Sequence, residues 1–298
     1  MRVGIIVPQG WTGEFAGWEP RAAWARSVEV AQAADRLGFE SIWLYDHFHT
    51  TPEPTDELTF EAFTSLSALA ALTTRVRLGQ IVTCAAYRNP ALLAKMVSTM
   101  DTISGGRMEL GIGAGWKEDE WRAYGYGFPE TKERLARLGD DLGVIAAMLE
   151  GDKHQHATFA GEYSSVRDAR NVPKPIQRPR VPIMVGGNGP NVTWRLAAKY
   201  ADELNLDGMT PAELREALPV IRARCEEIGR DPSTLAISVH IWQQQFSHGG
   251  QERVDRLAGF VELGVNRVMG LDFASAREDE ALERVAEDAR AAGVELAP

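Results

Sequence analysis

Short apolar runs alternate with longer amphipathic segments along this chain, and this alternation is the feature that most limits its fold. Eight such strand–helix pairs run from Val3–Val7 to Glu278–Ala291. Continuous apolar strands are expected when helices cover both faces of a parallel sheet. The pattern therefore predicts an α/β protein, and a closed (β/α)8 TIM barrel fits eight pairs in 298 residues better than an open sheet.

The predicted elements cover most of the chain. Strands are expected at Val3–Val7, Ser41–Tyr45, Val76–Val82, Met108–Ile112, Val181–Val185, Glu203–Leu206, Leu235–Trp242 and Arg267–Leu271. Helices are expected at Pro20–Leu37, Phe60–Leu72, Pro90–Ile103, Thr131–Leu149, Asn191–Tyr200, Pro211–Ile228, Glu252–Leu263 and Glu278–Ala291.

We interpret residues 1–298 as a single barrel domain with an insertion segment at 151–180. That segment is polar and rich in proline, and a small hairpin is expected around Thr158–Val166. An open doubly wound sheet is the alternative fold, but it would usually need a phosphate-binding glycine turn directly after the first strand. The chain has Pro8-Gln9-Gly10 there, which is a poor match.

Charge and cysteine content argue against several classes of protein. The net charge of -10 disfavours binding to nucleic acid or to an anionic membrane surface. Two cysteines, far apart in the sequence, argue against a disulfide scaffold and fit a reducing cytoplasm. No stretch approaches the roughly 18 apolar residues that span a bilayer, and the N-terminal apolar run is too short for a signal peptide. We therefore expect a soluble, cytoplasmic protein with a small-molecule substrate.

The triplet Asp46-His47-Phe48 directly follows the second predicted strand. Loops at the C-terminal ends of parallel strands carry the chemistry of α/β barrels, and a histidine there can exchange a proton near neutral pH. An aspartate beside it can accept hydrogen bonds from a ligand. From these residues alone, a turn capped by Asp46 with a merely exposed His47 fits equally well.

A glycine-rich segment, Gly111–Trp116, follows the fourth predicted strand. Its spacing differs from that of a dinucleotide fingerprint, so it is weak as that motif. Glycines such as Gly113 and Gly115 would let the backbone approach a planar ligand closely, with Trp116 beside it. The alternative is a tight turn in which Trp116 fills a gap.

A second glycine-rich segment, Gly186-Gly187-Asn188-Gly189, follows the fifth predicted strand and opens a helix. Backbone N–H groups at a helix N-terminus bind phosphate, helped by the helix dipole. In barrels, such loops often hold phosphate, so this segment is a candidate anion site. The alternative is a loop that only requires positive φ angles.

The third predicted strand ends with Gln80-Ile81-Val82-Thr83, which contains no ionisable side chain. The residues alone predict an inward-facing strand end there. Cys84 follows, and we expect a buried, inert thiol because no residue nearby in sequence would activate it.

A metal site that includes histidine ligands is an alternative hypothesis. His47 and His49, together with His240 and Asp272 near later strand ends, could form a ligand set for a metal-dependent hydrolase. Against it, His47 and His49 lie in a loop and need not share a face.

Several aromatic side chains in predicted loops are candidates for lining a substrate pocket, although they could equally be loop packing. They are Trp11, Trp18, Trp116, Trp121, Tyr124 and Tyr126.

Taken in order, these segments resemble bacterial luciferase-like flavin and deazaflavin oxidoreductases, above all the actinobacterial branch that uses coenzyme F420, a 5-deazaflavin. Each matching segment alone is weak, but the ordered set is specific and covers nearly the whole chain. The segments are 38–48, 87–95, 104–107, 110–116 and 182–187. The Asp-His-Phe triplet is typical of the deazaflavin members, so F420 is the expected cofactor and FMN the alternative.

The resemblance implies an (α/β)8 barrel, commonly a homodimer, with the deazaflavin ring across the barrel mouth. It implies that Asp46 contacts the polar edge of the ring and that His47 lies near its reacting carbon. Gln80–Thr83 matches the place where the family has a non-proline cis peptide bond behind the ring. Gly186–Gly189 would take the cofactor phosphate.

The expected activity is hydride transfer between F420 and a small organic substrate. His47 is the expected proton donor, and Asp46 is the second expected catalytic residue, which would orient the ring or the imidazole. Three alternatives remain: an FMN-dependent monooxygenase, a metal-dependent hydrolase, and a flavin-binding protein without catalysis.

Overall fold

The computed structural model describes residues 1–297, which form an α/β barrel. Its strands are β1 (Arg2–Ile6), β2 (Ser41–Leu44), β3 (Arg77–Gln80), β4 (Thr83–Cys84), β5 (Leu110–Gly113), β6 (Ala157–Ala160), β7 (Ser165–Ala169), β8 (Ile183–Gly186), β9 (Glu203–Asp207), β10 (Ala236–Ile241) and β11 (Arg267–Gly270). Its α-helices are α1 (Pro20–Leu37), α2 (Ala62–Leu72), α3 (Pro90–Ser104), α4 (Glu118–Ala123), α5 (Thr131–Leu149), α6 (Thr193–Tyr200), α7 (Pro211–Glu226), α8 (Gln243–Phe246), α9 (Gln251–Glu262) and α10 (Ala281–Ala291).

Local capping decides where the helices begin and end. Helix α1 begins at Pro20, where the Glu19 carboxylate accepts hydrogen bonds from two backbone amides, and it ends at Gly38 in the left-handed conformation. Its bounds match the predicted ones. Helix α2 begins two residues later than predicted because Glu61 caps it with its carboxylate.

The main sheet closes on itself through its third strand, which is split into β3 and β4. Strand β3 pairs with β2, whereas β4 pairs with β5, so the two segments join the two edges of the parallel sheet. The Ile81–Val82 peptide bond between them is cis, which confirms the expectation for this position. The prediction of one continuous strand over Val76–Val82 is wrong at its end, because the chain bends there and changes its pairing partner.

Strands β6 and β7 form a separate antiparallel pair inside the 151–180 segment, which confirms the predicted hairpin. The ring of Phe159 packs on α5: a Cβ added at Gly143 would lie 2.2 Å from that ring. Only glycine at this position lets the hairpin lie so close to the helix. The bounds of the insertion at 151–180 and the assignment of the chain to a single domain stay predictions.

A buried ionic cluster closes the N-terminal end of the barrel. Arg267, at the start of β11, is 2% exposed and donates hydrogen bonds to Glu40 (2.9 Å), Glu109 (2.7 Å) and Glu203. Burial alone would lower the pKa of Arg267, but the three carboxylates raise it well above its ordinary value. Its guanidinium lies over the ring of Trp43, 5.0 Å from the centroid.

The indole of Trp43 fills the barrel interior above this cluster. It is fully buried and donates a hydrogen bond from its Nε1 to Ser41 at 2.8 Å. A Cβ added at Gly4 or Gly79 would lie 2.7 Å or 2.2 Å from the indole, so the two neighbouring strands need glycine there. The interior is therefore packed solid below the C-terminal ends of the strands.

No helix in the described part of the chain is long and apolar enough to cross a membrane.

Candidate active site

A cavity of about 400 Å³ opens at the C-terminal ends of the strands, here called the barrel mouth. This volume lies within the ordinary range of small-molecule pockets. The loops after β1, β2, β3, β5 and β8 form its wall together with the ends of β9 and β10. The sequence-predicted residues that line it are Asp46, His47, Ile81, Val82, Thr83, Gly113, Gly115, Trp116, Gly186, Gly187 and Asn188. Gln80 and Gly189 do not line it.

The imidazole of His47 is fixed on the cavity wall by two neighbours. Its Nδ1 lies 2.8 Å from a carboxylate oxygen of Glu120, and its ring stacks on Trp11 with centroids 4.1 Å apart and planes 2° apart. Because Nδ1 faces the carboxylate, Nε2 is the ring nitrogen left for a ligand in the cavity.

Glu120, on the short helix α4, is fully buried although it is charged. Besides His47, its carboxylate accepts hydrogen bonds from the Tyr87 hydroxyl (3.0 Å) and from the amides of Phe48 (2.8 Å) and His49 (3.4 Å). Burial raises the pKa of Glu120, but these donors, His47 first, outweigh it and hold the pKa below its ordinary value. A buried carboxylate with this many donors is a rigid acceptor for the imidazole.

Glu120 was not predicted from the sequence, because nothing there separates it from the acidic residues just before it. Glu118 and Asp119 are exposed, whereas Glu120 and Trp121 are buried. The buried Trp121 next to it was the one available signal for the inward face of this helix.

The carboxylate of Asp46 is fully engaged within the protein. Arg88 donates to both of its oxygens, at 2.7 Å and 2.9 Å, and the Cys84 amide donates at 3.0 Å. Burial raises the pKa of Asp46 and Arg88 lowers it, with burial the stronger effect. Asp46 therefore ties the end of β2 to the segment after β3. Burial, and then Asp46, raise the pKa of the Cys84 thiol far above its ordinary value, which agrees with an inert thiol.

A second histidine, which the sequence suggested only as a metal ligand, also lines the cavity. His240, on β10, places Nε2 3.1 Å from the Tyr45 hydroxyl and Nδ1 2.8 Å from Asp207. Burial, and then the charges of Glu14 and Asp207, raise the pKa of Tyr45 well above its ordinary value, so its hydroxyl stays protonated. Hydrogen bonds thus connect the cavity to the half-exposed Asp207 carboxylate.

Glycines allow the cavity wall to pack tightly around the cis peptide bend. A Cβ added at Gly113 or Gly186 would lie 2.9 Å from the side chain of Val82. At Gly115, where φ is +78°, it would lie 2.5 Å from the Cys84 sulfur. The segment predicted to approach a planar ligand therefore packs first against the bend itself.

The 186–189 loop is held by its own hydrogen bonds. Gly187, with φ at +128°, donates its N–H to Asn205 at 3.0 Å. The Asn188 side chain exchanges two hydrogen bonds with the backbone of Asp207, at 2.8 Å and 2.9 Å. Because the Gly187 amide is occupied, the phosphate hypothesis depends on the amides of Asn188 and Gly189.

The structure gives the histidines and aspartate of the metal hypothesis different partners. His47 contacts Glu120, His240 contacts Asp207, and Asp272 accepts a hydrogen bond from Arg253 at 3.0 Å. Among residues 1–297, no three or more histidine, cysteine or acidic side chains are grouped as a metal site would require.

The predicted aromatic residues divide into two groups. Trp11, Trp116 and Trp121 line the cavity, and Trp242 joins them from the end of β10. The others, Trp18, Tyr124 and Tyr126, do not line the cavity. They pack against Phe15, Phe48 and Tyr87, respectively.

The family model described as luciferase-like monooxygenase matches residues 1–261. An F420-dependent glucose-6-phosphate dehydrogenase of Amycolatopsis mediterranei is 28% identical over 286 residues, which cover 87% of this chain and 83% of that protein. A protein of the same name from Microbacterium testaceum is 30% identical and covers 87% and 82%.

Among solved structures, an F420-dependent secondary alcohol dehydrogenase in complex with an F420-acetone adduct superposes with a TM-score of 0.81. The match covers 98% of both chains at 21% sequence identity. At this identity the likeness concerns the fold, and it agrees with the closed (β/α)8 barrel predicted from the sequence.

Proposed function

The chain belongs to the luciferase-like monooxygenase family, and we propose that it is an oxidoreductase that uses coenzyme F420. The names of the relatives with similar sequences support this cofactor, as does the Asp-His-Phe triplet at residues 46–48. The proposed reaction is hydride transfer between the deazaflavin and a small organic substrate. The observation that carries it is the imidazole of His47 on the cavity wall, held by a buried carboxylate.

The cavity fits a flat heterocycle with an anionic arm. Its wall combines the aromatic ring of Trp11 with the bend at Ile81–Val82, and its rim includes the backbone of Gly187 and Asn188. The bend would lie behind the ring, and Gly113, Gly115 and Trp116 would lie alongside it. The amides of Asn188 and Gly189 would face the phosphate. When bound, the deazaflavin supplies or accepts the hydride.

His47 handles the proton that accompanies the hydride. When an alcohol is oxidised, its O–H bond breaks and the proton passes to Nε2; when a carbonyl is reduced, Nε2 returns that proton to the oxygen. The Glu120 carboxylate faces Nδ1, so it orients the ring and stabilises the imidazolium that forms. Asp46 acts as a positioning residue, because Arg88 and the Cys84 amide already occupy its carboxylate.

From the sequence, we also propose that the protein acts in the cytoplasm and forms a homodimer. Residues 1–298 would form a single barrel domain that contains the insertion at 151–180.

Titration of the purified protein with F420 and, separately, with FMN tests the cofactor. We expect the fluorescence of the deazaflavin to change saturably, and FMN to bind more weakly. Tight binding of FMN with no binding of F420 would replace this proposal by an FMN-dependent monooxygenase.

The His47→Ala variant tests the proton transfer. We expect kcat to fall by about 10²- to 10⁴-fold, as is usual when a positioned acid–base group is removed, while the Kd of F420 changes much less. His248→Ala is the control, because His248 is exposed and does not line the cavity. Unchanged turnover in His47→Ala would remove His47 from the mechanism.

A further inference from the structure

Each cationic or histidine side chain on the cavity wall already has a carboxylate partner within the protein. From this pairing we infer that the site takes uncharged substrates, with an apolar body and one hydroxyl or carbonyl group, and rejects sugar phosphates. The inference rests on the proposed function, since it names the substrate class of the same cavity.

Lys117 is the single lysine or arginine among the described residues that line the cavity. Its side chain is buried, and its ammonium donates hydrogen bonds to Asp119 at 2.9 Å and to the Pro52 carbonyl at 3.3 Å. The charge of Lys117 is therefore compensated before any ligand enters.

The two histidines of the wall are compensated in the same way. His47 lies 2.8 Å from Glu120, and His240 lies 2.8 Å from Asp207. If either imidazole takes up a proton, its charge is balanced by the carboxylate beside it. With the cofactor phosphate on the amides of Asn188 and Gly189, the phosphate dianion of a substrate would lose its hydration without meeting an unpaired positive charge, which is strongly unfavourable.

Aromatic rings supply much of the remaining wall. The rings of Trp11 and Trp242 lie 6.4 Å apart, and Trp116 meets His47 edge-on at 5.9 Å. Trp116 is 58% exposed, so it presents a large apolar face at the rim of the cavity. Such a wall favours a substrate that can bury apolar surface, while Nε2 of His47 is the hydrogen-bonding partner for its oxygen.

This chain would therefore differ in its substrate class from the relatives named for glucose 6-phosphate. Those proteins are 28% and 30% identical to it, a level at which a shared cofactor does not require a shared substrate.

A matched pair of ligands tests the substrate class. The neutral member is 4-methylcyclohexanol and the charged member is 4-hydroxycyclohexyl phosphate, so both contain the same secondary alcohol. Binding is followed by intrinsic tryptophan fluorescence, on the protein with and without F420. We expect the phosphate to bind at least about 100-fold more weakly, since burying an unpaired charge costs several kcal/mol. Trp116→Ala should weaken binding of the neutral member, because Trp116 lies on the aromatic wall of the cavity. Unchanged binding in this variant would show that the neutral member binds elsewhere.

Asp119→Asn tests the role of charge pairing. It removes the carboxylate that pairs with Lys117 and leaves the ammonium without a charged partner. The ratio of the two Kd values, charged member over neutral member, should therefore fall by about 10-fold. Glu118→Gln is the control, because Glu118 is an exposed neighbour that pairs with Arg122, and its ratio should stay at the wild-type value.

Three outcomes distinguish the possibilities. Binding of F420 with equal or better binding and turnover of the phosphate, or of glucose 6-phosphate itself, would overturn the substrate inference and leave the proposed function standing. Absence of F420 binding would overturn the proposed function. The ratio of the affinities for the neutral and the charged ligand, measured without cofactor, would still decide the substrate class. An unchanged ratio in Asp119→Asn would overturn the argument from charge pairing.

Discussion

Both ends of the barrel pair basic side chains with carboxylates, but the pairs serve different purposes. At the N-terminal end, Arg267 and its glutamates are packed on the indole of Trp43 with no cavity between them. At the mouth, the histidines of the His47–Glu120 and His240–Asp207 pairs line an open cavity. In a barrel, the first arrangement can only affect stability, whereas the second can meet a ligand.

A side chain with a perturbed pKa is a functional signal only where it borders free space. Arg267 has a pKa well above its ordinary value, yet nothing but protein surrounds it. Glu120 is equally buried, but its partner His47 lines the cavity. Substitutions should therefore separate stability from activity between the two ends.

Arg267→Met should give the largest effect, on stability. Removing the guanidinium leaves Glu109 and Glu203 buried without it, and breaking a buried ion pair from one side costs about 3–5 kcal/mol. We expect the free energy of unfolding to fall by about this amount in urea denaturation, with the Kd of F420 unchanged for the folded protein. Arg2→Met is the matched control, because Arg2 also binds Glu40 but its side chain is 49% exposed; it should cost no more than about 1 kcal/mol. A loss below 1 kcal/mol for Arg267→Met would contradict this account of the cluster.

The sequence was sufficient to predict the barrel, because each apolar strand and amphipathic helix is visible locally. It placed His47 and the 186–188 loop at the mouth for the same reason, since both follow strands directly. It did not predict the Tyr45–His240–Asp207 chain, which joins three strands whose register and neighbours no local pattern specifies. Likewise the partner of Asp46 is Arg88, 42 positions away, and only the closed barrel brings them together.

Glu120→Gln should give an intermediate effect on both properties. The amide keeps the shape but removes one acceptor from a carboxylate that receives four hydrogen bonds, so we expect a loss of about 1–3 kcal/mol at pH 7. The kcat should fall by at least about 10-fold, because the imidazole of His47 loses its charged partner. Glu118→Gln, on the same helix and exposed, should change neither value.

The stability loss in Glu120→Gln should also depend on pH. The pKa of Glu120 is lower in the folded protein than its ordinary value of 4.5, so the carboxylate stabilises the fold above pH 4.5 and stops doing so as pH falls through the folded pKa. The difference in unfolding free energy between the wild type and the variant should therefore be larger above pH 4.5 than below it, and should shrink as pH falls through the folded pKa. A difference that grows as pH falls below 4.5 would show that the carboxylate is not stabilised by its donors.

Asp207→Asn should give the smallest effect of the three substitutions. The Asp207 side chain is 47% exposed, in contrast to the fully buried Glu120, so water screens its interaction with His240. The asparagine oxygen can still accept a hydrogen bond from Nδ1, and we expect less than about 1 kcal/mol in stability and a fall in kcat of no more than about 5-fold. Measuring kcat at low and high salt checks the reason: salt should reduce the difference between wild type and variant, since it screens exposed charges. A fall in kcat as large as that of Glu120→Gln, insensitive to salt, would mean that the two histidine–carboxylate pairs are functionally equivalent and that burial does not distinguish them.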